Sequence, residues 1–174
     1  MVKEELISNI LVPVDGSEAS KKAIEYSAWV ASKTGAKITL LNVIDEDKMQ
    51  FNFEAMDRFL PEWEDKVKRS NDIKKYSPYY DEERKFSIED PLCKQGNNIL
   101  KEMAQYAEKL GVKPKTEVKL GKFVNTVIDV AQKGKYDQII VGKTDFVGNK
   151  GLPTDNVFEK IAKYADCRVS VIPA

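Results

Sequence analysis

Apolar positions along the chain follow two habits. Runs dominated by apolar residues at Ile7 to Val14, Lys37 to Ile44 and Ile139 to Val141 read as strands buried on both faces, as parallel strands are. Elsewhere apolar residues recur every three or four positions, the spacing of one helix face. Ala23, Ile24, Ser27, Ala28 and Ala31 mark a helix over Glu18 to Thr34, with Gly35 standing where a C-terminal cap belongs. After Gly96, Ile99, Leu100, Met103, Ala104, Ala107 and Leu110 form an inward face, which Gly111 ends and Pro114 keeps from continuing. Thr116 to Leu120 is a short strand, and Val124, Val127, Ile128 and Ala131 mark a helix ending near Gly134. Gln138 to Val141, a helix striped by Val157, Ile161 and Ala165, and a last run, Val169 to Ile172, close the chain. Five strands alternating with four main helices predict a mostly parallel sheet covered on both faces. Residues 1–174 make one such domain.

One stretch breaks the rhythm. Between Asp45 and Gln95, Met56, Phe59, Leu60, Trp63 and Val67 suggest an amphipathic helix from about Glu54 to Arg69. Tyr76, Tyr79 and Tyr80 follow beside a charge run, Asp81 to Lys85. The segment reads as an insertion of about residues 45–95: either a helix packed on the domain edge with a solvated loop, or a lid or partner surface that uses its aromatics.

Two strand ends carry the candidate chemistry. The first strand finishes in Pro13-Val14-Asp15-Gly16-Ser17, which puts a carboxylate just before a helix. The fourth breaks at Gly142 into a loop rich in Gly, Lys, Thr, Asp and Asn before a helix begins near Asn156. In open α/β sheets ligands bind beyond the carboxyl ends of the strands where strand order reverses, and a loop entering a helix N-terminus there suits an anion.

Composition narrows the classes. Lys plus Arg and Asp plus Glu are 28 each, so no global field draws the chain to nucleic acid or an anionic membrane. The absence of His removes the usual general base and the commonest metal ligand. Cys93 and Cys167 stand alone, as reduced thiols of a cytosolic protein do. No apolar run approaches the roughly 18 residues needed to span a bilayer, and MVKEELISN lacks a signal-peptide core, so the expected location is the cytoplasm. GxxxxGK followed by Ser or Thr does not occur, and no residue set specifies hydrolysis; slow ATP hydrolysis is the most that an enzyme reading supports.

With these residues assembled, the chain resembles the universal stress protein family over nearly all its length except the insertion. ILVPVDGSEASKKAIEYSAWVASKTGAKITLLNVID is similar to the family's opening strand, helix and strand, and KLGKFVNTVIDVAQKGKYDQIIVGK to its third strand, third helix and fourth strand. ADCRVSVIPA is similar to its final turn and strand, which in the family often pairs across a dimer. The resemblance implies an open, doubly wound parallel sheet in the order 3-2-1-4-5, Rossmann-like and of the adenine nucleotide alpha-hydrolase kind. It implies a homodimer that binds ATP or another adenine nucleotide, with Asp15 approaching the ribose and Pro13, Val14, Val43 and Val141 around the adenine. Gly142, Thr144, Asn156 and Val157 would occupy positions lining phosphates and ribose.

The family's nucleotide binders carry glycine, two residues, glycine, nine residues, then glycine and Ser or Thr. Here the spacing survives, but Asp145 and Asp155 replace the second and third glycines and Asn156 stands for the Ser. Each aspartate adds like charge near a phosphate, on the order of 1 kcal/mol depending on exposure. Lys143 and Lys150 nearby, or Mg²⁺ held by Asp145 or Asp155, can offset it. Asp155 and Asn156 also suit simple helix capping, and Asp15 suits capping of the first helix. Two functions follow: a nucleotide-binding dimer in stress response or signalling, or a dimeric interaction module working through residues 45–95.

Overall fold

The computed structural model describes residues 7–45, 91–143 and 157–173. The elements are β1 (Asn9–Pro13), α1 (Glu18–Thr34), β2 (Lys37–Asp45), α2 (Pro91–Lys109), β3 (Lys115–Gly121), α3 (Phe123–Lys133), β4 (Gln138–Gly142), α4 (Val157–Tyr164) and β5 (Arg168–Ile172). The strands form one sheet in the order β3-β2-β1-β4-β5, and every pairing is parallel. This is the predicted strand order. The proposed helix between Glu54 and Arg69 lies outside the described residues.

Burial on both faces explains why the strand sequences run apolar. On one face Ile10, Val12, Ile38, Leu40 and Ile140 meet Ala23 and Ile24 of α1 and Leu100, Met103 and Ala107 of α2. On the other, Leu11, Leu41 and Ile139 meet Val127, Val130 and Ala131 of α3 and Ile161 of α4. The alternation along each strand sends successive side chains to opposite layers. Alanines on the inner stripe of α1 let that helix lie close to the sheet.

Two expectations about α2 change. It starts at Pro91, not after Gly96; proline suits a first helical position, where its missing N–H is not needed. Gly96 is an interior residue that lets α2 approach β2, since a Cβ there would sit 2.7 Å from Oδ1 of Asn42. Leu110, read as the end of the inward face, is exposed, because the chain leaves the helix there and folds Val112 back, whose N–H donates to the Ala107 carbonyl.

The amino ends of β1 and β4 are clamped. The Asp137 carboxylate accepts from the backbone N–H groups of Ser8 and Asn9, both at 2.8 Å. The carboxyl ends behave differently, and they make the site.

Candidate functional site

The β1–β2 ladder runs to Pro13↔Leu41, whereas the β1–β4 ladder stops at Leu11↔Ile139. The Val14 N–H donates to the Leu41 carbonyl at 2.8 Å. Backbone groups alternate between neighbours along a central strand, so Leu11 and Pro13 present theirs to β4. Proline has no N–H, and the bond that would continue the β1–β4 ladder cannot form. β1 and β4 are therefore free to part at their carboxyl ends, where the order of the sheet reverses.

Asp15 stands at the mouth of this crevice. Gly16, at φ 85°, turns the chain from strand to helix in a conformation that side chains rarely allow. Ser17 rather than Asp15 caps α1, its Oγ accepting from the Ser20 N–H at 3.2 Å. That corrects the capping role considered for Asp15, whose carboxylate is held from the side. Its Oδ1 accepts from the Ser17 N–H at 2.9 Å and from the Ser20 hydroxyl at 2.7 Å. The Ser20 Oγ in turn accepts from the Asp15 N–H at 3.0 Å. Partial burial pushes the Asp15 carboxyl up, but the bonds from Ser17 and Ser20 together outweigh it and hold the group below its ordinary value.

A pH dependence follows from that direction. A carboxyl depressed in the folded state adds stability that is fully present above the unfolded value, about 3.9, and is lost as pH falls through the folded one. The stability difference between wild type and Asp15→Asn should hold constant from pH 7 to 5 and shrink below about pH 4. Urea titrations of both proteins across that range measure it; a difference that instead changes between pH 5 and 7 contradicts the depressed carboxyl.

Gly142 closes the other side. It is the last residue of β4, paired with Ile172, and the Lys143 N–H donates to the Ile172 carbonyl at 2.7 Å. A Cβ on Gly142 would lie 2.1 Å from the Ala19 carbonyl oxygen in the first turn of α1. Pro13 and Val141 are buried; by alternation from Leu11 and Ile139 they face the layer of α3 and α4. Val43 and Val157 lie partly buried against that same layer. Val14 packs into the opposite layer, and its N–H and carbonyl are engaged on the β2 side by Leu41 and Asn42. Thr144, Asp145 and Asn156 lie outside the described residues.

Sequence reasoning missed Asn42 and Ser20. Asn42, buried in an otherwise apolar strand, donates from Nδ2 to the Val14 carbonyl at 2.9 Å and so braces the residue before Asp15. A polar residue inside an apolar run was the available signal. Among the described residues no group of three or more His, Cys, Asp or Glu side chains could hold a metal ion, and no helix is long and apolar enough to cross a membrane. Cys93 is fully buried, and burial, followed by the charges of Asp137 and Asp166, pushes the Cys167 thiol up, so neither thiol is poised as a nucleophile.

The fold and crevice define a doubly wound α/β protein whose candidate site sits at the β1–β4 switch point, with a carboxylate on one strand end and a closely packed glycine on the other. The chain belongs to the universal stress protein family, whose sequence profile matches residues 7–173. A universal stress protein of Methanocaldococcus jannaschii is 26% identical over 172 residues, covering 97% of this chain and 84% of its relative. Among solved structures, a universal stress protein in complex with cAMP superposes with a TM-score of 0.60 at 16% identity, covering 97% of this chain and 98% of that one. The universal stress protein of Archaeoglobus fulgidus in complex with dAMP gives 0.60 at 14% identity, covering 96% and 98%.

Proposed function

We propose that the chain binds an adenine nucleotide, AMP, ADP or ATP, in the β1–β4 crevice, and acts in the cytoplasm as a homodimer in stress response or signalling. The observation that supports it best is the Asp15 carboxylate, kept ionised and oriented at the mouth of the switch-point crevice. A ribose diol offers O–H donors that such a carboxylate accepts, with charge assistance. Pro13, Val43, Val141 and Val157 supply the apolar surroundings that a flat adenine needs. Gly142 brings backbone close without a side chain, and Mg²⁺ would serve the di- and triphosphates. Homologous complexes with cAMP and dAMP point to the same ligand class.

The dimer reading rests on β5, an edge strand whose Val171 is exposed, since antiparallel pairing with a second copy covers such an edge. Residues 45–95 are proposed as a surface for a protein partner. The deciding experiment has two arms: denature natively purified protein and identify any released nucleotide by mass spectrometry, and titrate emptied protein calorimetrically with AMP, ADP and ATP, with and without Mg²⁺. Released or titrated adenine nucleotide supports the reading. Absence of binding at millimolar ligand overturns it and leaves the partner-module function through residues 45–95.

A further inference from the structure

The geometry points to Ser20 as the positioning residue that selects a ribose hydroxyl at this site, by fixing which oxygen of Asp15 faces the ligand. The inference rests on the nucleotide-binding reading above.

Ser20 is buried in the first turn of α1, yet its hydroxyl is not used within its helix. Ser27, also buried on α1, shows the usual alternative: its Oγ donates to the Ala23 carbonyl one turn back, at 2.6 Å. The Ser20 hydroxyl instead reaches out of the helix to the strand end. It donates to Asp15 Oδ1 at 2.7 Å and accepts from the Asp15 N–H at 3.0 Å, closing a ring through the residue it holds. Ser17 Oγ, 3.4 Å from Ser20 Oγ, further restrains that hydroxyl.

A hydroxyl has one proton, and here it is committed to Oδ1. Together with the Ser17 N–H it ties down Oδ1 and stops rotation about the carboxylate bond. Oδ2 is then the oxygen presented to a ligand, at one fixed angle. Without Ser20 the carboxylate would keep its charge but turn, and either oxygen could meet bulk water. Charge alone attracts any ligand donor; a fixed oxygen rewards a hydroxyl at one place on the sugar.

The test compares AMP with 2′,3′-dideoxy-AMP by calorimetry on wild type, Ser20→Ala and Ser20→Thr. Wild type should prefer AMP about tenfold or more, the effect of one hydrogen bond to a charged group. In Ser20→Ala AMP affinity should fall about tenfold while dideoxy-AMP affinity holds, so the preference collapses. Ser20→Thr, which keeps the hydroxyl, should restore it. A purely structural role would weaken both nucleotides equally. If Ser20→Ala retains the wild-type preference, or weakens both ligands alike, the positioning role is wrong although the nucleotide reading stands. If wild type binds neither nucleotide, both readings fall.

Discussion

Replacing Gly142 with alanine should destabilise the fold by about 3 kcal/mol or more, near the upper end of what a single added methyl does in a packed interior. The added Cβ would lie 2.1 Å from the Ala19 carbonyl oxygen and 2.4 Å from its carbon. These are backbone atoms in the first turn of α1, so no rotamer change relieves the contact. Either the helix lifts from the end of β4 or β4 bends away from it. Both movements shear the crevice, because Ala19 lies between Ser17, which caps the helix, and Ser20, which holds Asp15. The glycine matches the first glycine of the family's phosphate-loop pattern, and loop freedom is the usual reason for such a residue. Its φ does not fall among the positive values found at Gly16, Gly35, Gly111 and Gly121, so close approach is what demands it here. Urea denaturation at neutral pH measures the loss. A change under 1 kcal/mol would mean that α1 yields freely and that the contact does not set the spacing of the site.

The difference between those two reasons for a glycine shows where the sequence is legible. Helix α1 could be read to its bounds, because Gly35 marks its end and its alanines repeat with helical period, although the cap considered at Asp15 belongs to Ser17. The parallel sheet followed from apolar runs that need burial on both faces. Asp15 and Gly142 were legible as strand-end residues, since each interrupts a run at the point where a sheet binds its ligands. Contacts between distant segments leave no local period. Gly96 looked like a boundary because nothing nearby reveals that Asn42 of β2 packs against it from the sheet face that α2 covers. Ser20 looked like an ordinary polar residue of a first turn, and only the fold shows its hydroxyl aimed at Asp15. Leu110 extended a correct helical stripe one turn too far, and the fold back at Gly111 and Val112 placed it in solvent. Pro13 is the intermediate case: its missing N–H is evident from sequence, but that it faces β4 requires the register of the neighbouring ladder.

Asp15→Asn should weaken AMP binding about a hundredfold while leaving the protein folded at neutral pH. The substitution is nearly isosteric, and an asparagine carbonyl oxygen in the place of Oδ1 can still accept from the Ser17 N–H and the Ser20 hydroxyl. The amide nitrogen then takes the place of Oδ2. An acceptor that would meet a ribose hydroxyl becomes a donor, and the negative charge that strengthens the bond is gone. Two losses act together, which is why the expected effect exceeds that of removing Ser20 alone. Asp15→Ala removes the same acceptor but also frees the Ser17 N–H and the Ser20 hydroxyl, so it should weaken binding similarly and destabilise the protein more. Calorimetric titration with AMP, alongside urea denaturation of both variants, separates recognition from folding. Unchanged AMP affinity in a folded Asp15→Asn protein would move the ribose away from this carboxylate, and with it the reason for reading the β1–β4 crevice as the nucleotide site.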